Sequence, residues 1–292
     1  MNEAKSVVIT GASTGIGYAT AHYLTKRGWR VFAGVRKEAD AERLLAELGP
    51  AVTPLIIDVT DSGSCRAAGD EVRAMLGGRN LTGLVNNAGV AVAGPLLHLP
   101  IEEMTRQLDI NVTGQLRVTQ AIAPLLGAED GRTGLPGRIV NISSVAGLNA
   151  TPLVTPYACS KFAVEALTQG LRRELGLYGI DCVAVNPGPV ATPIWSKAEE
   201  MDPEQYRQTD FYGPIRRIMG YMLSRGETGL PPVKVAEAIF KALTAKTPPL
   251  NQVLTPEPFQ QWLLNALPGR MADRLIAKRL GLTPQDLATA KD

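Results

Sequence analysis

The sequence predicts a single α/β domain, a doubly wound parallel sheet of about seven strands with helices on both faces. Three observations carry that expectation. Short apolar runs rich in β-branched residues alternate with longer stretches of helical periodicity, the pattern of successive βαβ units. Several of those runs are apolar at consecutive rather than alternate positions, so each strand must be covered above and below. With 292 residues, 45% hydrophobic and 20% charged, the chain can also bury one large core without staples.

Strands are expected over 6–10, 30–35, 52–58, 81–86, 138–142 and 181–186, with a weaker seventh over 252–254. Helices have the length and spacing to fill 15–27, 39–48, 62–76, 101–126 and 156–178 between them. Two connections exceed the usual short loops: a Gly-rich one over 127–137, and one over 187–232 with Pro and Gly crowded at both ends. The second is long enough to form a substrate-covering lid, 189–232, and it is rich in Ile194, Trp195, Met201, Tyr206, Phe211, Tyr212, Ile218, Met219, Tyr221 and Met222. A helix follows over 233–245. A helical C-terminal extension, 256–292, carries Trp262, Leu263, Leu267, Met271, Leu275 and Ile276 at helical spacing. With Arg270, Arg274, Lys278 and Arg279 interleaved, it suits covering its own domain, a membrane surface or a second subunit.

Charge and composition exclude several functions. Thirty basic against 28 acidic side chains, a net +2, are too balanced for a protein that lives on polyanion attraction, so no nucleic acid partner is expected. Cys65, Cys159 and Cys182 show neither CxxC nor Cys/His ligand spacing, which points to a reducing compartment and no zinc site. His22 and His98 are the only histidines, too few for a histidine-centred metal cluster or triad, and no metal is expected. No signal-peptide pattern and no run of ~20 apolar residues occurs, so a cytoplasmic protein without a transmembrane segment is expected.

Three segments carry chemistry. The first strand ends in Thr10-Gly11-Ala12-Ser13-Thr14-Gly15-Ile16-Gly17 and enters a helix directly, the context a phosphate-cradling turn requires. Gly11 permits the sharp turn, Gly15 lets the backbone approach a diphosphate, and Gly17 lets helix pack on strand. Val85-Asn86-Asn87-Ala88-Gly89 ends the fourth strand. Tyr157-Ala158-Cys159-Ser160-Lys161 opens a helix thirteen residues after Ser144, at the end of the fifth. In this order and spacing, the three resemble the TGxxxGxG, NNAG and YxxxK patterns of the short-chain dehydrogenase/reductase family, over about 6–192. The hydroxysteroid/retinol dehydrogenase branch is the most similar.

The resemblance implies a Rossmann fold and a catalytic tetrad of Asn111, Ser144, Tyr157 and Lys161. It implies a dinucleotide held by Gly11, Ser13, Thr14, Gly15, Ile16 and Gly17, by Asp58 and Val59, and by Asn87, Ala88 and Gly89. Pro187, Gly188, Val190 and Thr192 would hold the nicotinamide carboxamide, and Tyr157 and Lys161 also face the cofactor. The residues alone leave Asp58 open between adenine contact and helix N-cap, and Asn87 open between ribose contact and turn closure. A homodimer or homotetramer is the family habit, with the helices over 101–126 and 156–178 pairing across an axis.

The chemistry stands on its own footing as well. Tyr157 and Lys161 are four apart on a helix and therefore share a face. An ammonium one turn away is expected to stabilise phenolate and bring the phenol toward neutral pH, making Tyr157 a usable acid/base. Ser144 can hold the oxygen that gains charge when a carbonyl accepts hydride. At the end of the second strand the chain reads Ala33-Gly34-Val35-Arg36-Lys37, with no carboxylate for a ribose 2′-hydroxyl. Arg36 can pair with a 2′-phosphate, helped by Thr14 and Lys37, so NADP(H) is the expected cofactor, with NAD(H) left open. The function expected is hydride transfer between a hydrophobic ketone or aldehyde and its alcohol. A non-catalytic dinucleotide sensor, or a Tyr/Lys isomerase or dehydratase, remains as an alternative on the same frame.

Overall fold

The computed structural model describes residues 5–193 and 202–289. Seven strands, β1 (Ser6–Ile9), β2 (Arg30–Val35), β3 (Val52–Ile56), β4 (Gly83–Asn86), β5 (Arg138–Ile142), β6 (Asp181–Pro187) and β7 (Asn251–Leu254), form one sheet. All neighbours run parallel, in the order β3-β2-β1-β4-β5-β6-β7. Because side chains alternate across a strand, consecutive apolar residues feed two cores. Val7, Ile9, Val31, Ala33, Val140 and Val183 face one layer, which holds Ala21 and Leu24 of α1 (Gly15–Thr25) and Ile239 of α8 (Pro232–Thr244). Val8, Phe32, Leu84, Ile139 and Cys182 face the other, with Val72 of α3 (Ser62–Leu76) and Ile122 of α5 (Gly114–Ile122). The strands' consecutive apolar residues thus mark burial on both faces, as expected.

The remaining helices are α2 (Glu38–Leu48), α4 (Ile101–Leu108), α6 (Thr155–Leu175), α7 (Tyr212–Thr228), α9 (Pro258–Ala266), α10 (Gly269–Leu280) and α11 (Pro284–Thr289). The sheet order reverses between β1 and β4, and the crevice beyond the carboxyl ends of those strands is where such sheets bind ligands. Register there is fixed by buried amides. Asn86 and Asn141 sit opposite each other on β4 and β5, and Asn86 Nδ2 donates to Asn141 Oδ1 at 2.9 Å and to Thr119 Oγ1 at 3.0 Å. Asn141 Nδ2 continues to Thr168 Oγ1 of α6 at 2.9 Å. A one-residue slip would separate Asn86 from Asn141 and leave buried amide groups without partners, at a cost in free energy.

Two expectations need correction. The helix over 101–126 runs unbroken but is not uniform: α4 and α5 are joined by one turn of π-helix, Asp109–Thr113, and a 3₁₀ turn, Ala123–Leu126, closes the run. The lid region is not all loop, because α7 occupies much of it. Ile215, Ile218 and Met222 of α7 pack with Leu153, Tyr206 and Leu280, while Gly213, Pro214 and Gly220 disguise the helix in the sequence. Ile194, Trp195 and Met201 lie outside the described residues. The C-terminal extension is helical, and its inner face, through Ile276 and Leu280 of α10, covers the α7 cluster. Among the described residues no helix is long and apolar enough to cross a membrane.

Candidate active site

The turn after β1 is built from what its glycines lack. Gly11 and Gly15 have φ of +63° and +58°, a region that penalises any Cβ. A Cβ on Gly17 would strike the Gly11 carbonyl oxygen and approach Asn87 Nδ2 to 2.6 Å. Gly17 is thus small for the sake of the turn itself and of Asn87. Thr14 precedes α1 without capping it, and no acidic residue occupies the first turn, so the positive end of α1 stays available to an anion. These are the features a dinucleotide diphosphate needs, and the residues present fit one.

Asn87 ties the second motif to the first. Its Nδ2 donates to the carbonyls of Thr10 and Gly11, both at 3.0 Å, while the Thr10 hydroxyl accepts the backbone N–H of Asn87 and Ala88 at 3.0 Å. Turn closure by Asn87 is therefore realised. Asp58 is not the cap of α3; Asp61 is, accepting from Gly63 N at 2.7 Å. The Asp58 carboxylate accepts from Thr60 N and Thr60 Oγ1, at 2.9 and 2.7 Å, and these bonds hold its pKa below the usual range.

Asn111 lies in the π turn, fully buried, with its amide spent on structure. Oδ1 accepts from Val90 N at 2.9 Å, and Nδ2 donates to Val90 O at 2.9 Å and Ser160 Oγ at 3.0 Å. One turn earlier Gln107, which the motifs did not single out, accepts from Val92 N at 2.7 Å and donates to Val90 O at 2.9 Å. Buried Gln107, Asn111, Gln115 and Thr119 recur every four residues, a polar stripe readable in the sequence. Ser160 Oγ completes the knot by donating to Tyr157 O at 2.7 Å, so the 90–92 segment and the tyrosine's helix are held together.

Ser144 follows β5; its Oγ accepts from Ala146 N at 3.1 Å, donates to Pro187 O at 3.3 Å and hydrogen bonds with the Tyr157 side chain. Lys161 is buried beneath, Nζ donating to Ile142 O at 2.7 Å and standing 5.5 Å from the Tyr157 ring centroid. Burial pushes the Lys161 ammonium down to about 8, against the pull of the Glu165 carboxylate. Burial also pushes the Tyr157 phenol up, and the Ser144 hydrogen bond eases it back. Here the expectation that the phenol is brought down toward neutral pH is corrected: the net direction is upward, because burial outweighs what eases it, and Lys161 Nζ is held by the Ile142 carbonyl rather than bonded to the phenol oxygen.

These groups open onto one cleft of about 860 Å³. Every cofactor and catalytic position expected from the sequence lines it except Gly17 and Asn111, which act from behind its wall. Arg36 lines it and Lys37 does not. Of the lid residues, Ile218, Tyr221 and Met222 face the cleft, whereas Tyr206 and Phe211 join the packing cluster under α7. The segment over 189–232 is clamped where it leaves and returns: Leu230 N donates to Pro189 O at 2.8 Å and Ala191 N to Leu230 O at 2.9 Å. Thr255, Glu257 and Arg279 also line the cleft, brought there by long-range packing that no local pattern announces.

A sequence model of the short chain dehydrogenase family matches residues 5–203. An NADPH-dependent 3-dehydrocapnine reductase of Ornithobacterium rhinotracheale is 37% identical over 281 residues, covering 96% of this chain and 98% of that one. Retinol dehydrogenase 16 of Mus musculus is 35% identical over 217 residues, 74% of this chain and 66% of that one. Among solved structures, a short chain dehydrogenase of Burkholderia cenocepacia in complex with NADP superposes with a TM-score of 0.69 at 25% identity, over 97% of this chain and 99% of that one. With the parallel sheet, the glycine turn and the Ser144–Tyr157–Lys161 cluster, these matches show that the chain belongs to the short-chain dehydrogenase/reductase family of NAD(P)-dependent oxidoreductases.

Proposed function

We propose that the protein is an NADP(H)-dependent oxidoreductase that interconverts a hydrophobic ketone or aldehyde and its alcohol. The observation that carries this reading is the meeting of Ser144, Tyr157 and Lys161 in one cleft whose far wall, from Val154, Ile218 and Met222, is apolar. When bound, the dinucleotide supplies hydride to the carbonyl carbon or takes it from the alcohol. The Ser144 hydroxyl holds the carbonyl oxygen, and the Tyr157 hydroxyl gives that oxygen its proton as charge develops. Burial holds the Tyr157 phenol protonated, so the proton that the carbonyl oxygen takes up is in place beside Ser144. The Lys161 ammonium beside the ring offsets the charge left on the phenolate.

Asn111 would serve this site by fixing the 90–92 segment, both its amide protons being committed to Val90 O and Ser160 Oγ. Asp58 and Val59 would take the adenine end and Thr192, packed against Gly15, the nicotinamide end. Arg36 with no carboxylate at the end of β2 supports NADP(H), in keeping with the NADPH-dependent relative. The relatives named for retinol and hydroxysteroids support a lipophilic substrate. A homo-oligomer, a second copy pairing through α4–α5 and α6, is part of the proposal, supported by Ile101 and Phe162 exposed on those helices.

The test is NADPH oxidation over ketones and aldehydes of graded size, run beside Tyr157→Phe. Turnover of apolar members, falling by about 10²–10⁴-fold in the variant with NADPH binding unchanged, is the expected result. An unaffected rate overturns the assignment.

A further inference from the structure

Three of the charged side chains lining the cleft stand in ion pairs: Arg106 with Glu103 at 2.6 Å, Asp109 with Arg117 at 2.8 Å and Glu257 with Arg225 at 2.6 Å. Lys161 feels the Glu165 carboxylate one turn along its helix, and Asp58, bonded by Thr60, feels Arg36. Arg36 and Arg279 have no carboxylate within ion-pair distance among the described residues.

The two lie on opposite halves of the sheet. Arg36 follows β2, on the side assigned above to the adenosine. Arg279 is reached from the other side, beyond β6 and β7: a Cβ on Gly188 would touch Thr255 Oγ1 at 3.1 Å, and Glu257, two residues on, holds Arg225. The Arg225 and Arg279 guanidiniums stand 5.0 and 5.7 Å from the centroid of the same Tyr221 ring. A guanidinium carried near an aromatic face keeps its N–H edge for a planar anion. Arg225 is neutralised by Glu257, so among the described residues this end of the cleft keeps one positive charge without a counter-ion, with Ile218, Met222 and Val154 as apolar lining of the same cleft. As a basic residue near the end of α10, Arg279 also suits the helix dipole, but Lys278 does so without lining the cleft.

We infer that the substrate is an amphiphile: a carbonyl compound with an apolar chain and an anionic group, carboxylate, sulfonate or phosphate, that pairs with Arg279 in the outer half of the cleft. This rests on the reductase reading for the reacting carbonyl, while the binding of the anion itself can be measured without turnover.

The experiment is calorimetric titration of the NADPH-loaded protein with decanoate, decanesulfonate, decyl phosphate, decanol and inorganic phosphate, in the native chain and in Arg279→Gln. At least one of the anionic amphiphiles should bind about tenfold more tightly than decanol, and more tightly than inorganic phosphate, with the preference weakening in salt. Arg279→Gln should bring that amphiphile to the affinity of decanol while leaving decanol unchanged. Equal binding of all three amphiphiles and decanol, a preference that survives Arg279→Gln, or inorganic phosphate binding as tightly as decyl phosphate overturns the inference. A kinetic arm separates it from the parent reading: a long-chain keto acid should show a raised KM in Arg279→Gln, and its methyl ester should not. Absence of turnover with every carbonyl, alongside intact Arg279-dependent titrations, would fault the reductase reading alone.

Discussion

Glu165 lies one helical turn beyond Lys161 on α6, and both side chains are buried. The carboxylate is held at both oxygens: Asn186 Nδ2 donates to Oε1 and Asn251 Nδ2 to Oε2, the latter at 2.6 Å. From β5 the ammonium meets only the Ile142 carbonyl, so the field that keeps Lys161 charged comes from its own helix. Burial of a cation near a fixed anion is costly to build and sensitive to loss of either partner.

On the proposed mechanism that relationship should set an alkaline limit. Burial brings the Lys161 ammonium down to about 8, so reduction that uses its charge should fade as pH rises through that value. Glu165→Gln removes the attraction that raises the Lys161 pKa, so the alkaline limb of kcat should move to lower pH, with KM for NADPH little changed. A pH profile identical to that of the native protein would show the carboxylate to be purely structural.

Arg36→Ala should raise KM for NADPH by about tenfold or more, the cost of losing a charge-assisted bond to the 2′-phosphate. Because Arg36 is exposed and stands in no ion pair among the described residues, NADH kinetics and melting temperature should change little. Parallel steady-state runs with both cofactors decide the matter; an equal loss with NADH contradicts the assignment.

Gly17→Ala forces a methyl against the Gly11 carbonyl and the Asn87 amide. Neither neighbour is a flexible chain end, so the turn must shift, at about 1–3 kcal/mol of stability. Denaturant melts should record that cost, and dinucleotide titration should record a larger proportional loss of affinity, since the displaced backbone is the phosphate cradle.

Asn111→Ala leaves Val90 N–H without its acceptor inside the protein, a buried orphan costing about 1–3 kcal/mol. Its effect on kcat should therefore be accompanied by a fall in urea midpoint. Asn111→Asp keeps the acceptor for Val90 N–H but sets a buried carboxylate oxygen against Val90 O, so it should not recover the stability at neutral pH.

What the sequence disclosed was whatever depends on neighbours along the chain. The glycine turn, the NNAG segment and the Tyr157–Lys161 pair each occupy a few consecutive residues on one element, and the consecutive apolar positions of Val7–Val8–Ile9 announced two-sided burial. The π turn was hidden because it is made by tertiary bonds from Asn111 to Val90 and Ser160, not by propensity. Helix α7 was hidden by its glycines and proline, although Ile215, Ile218 and Met222 already held helical spacing. Glu165 shares Lys161's spacing, but its burial depends on Asn186 and Asn251, brought from distant strands. Arg279 came to the cleft only through the docking of α10 on α7, which no window of sequence contains.

The clamp at Pro189, Ala191 and Leu230 brings both ends of the excursion between them to one place, and α7 within it is moored a second time on Leu153 and Leu280. With the ends and the inner face of α7 fixed separately, exchanges at Tyr221, on the cleft side of α7, can recontour the wall while the backbone of 187–191 keeps its place.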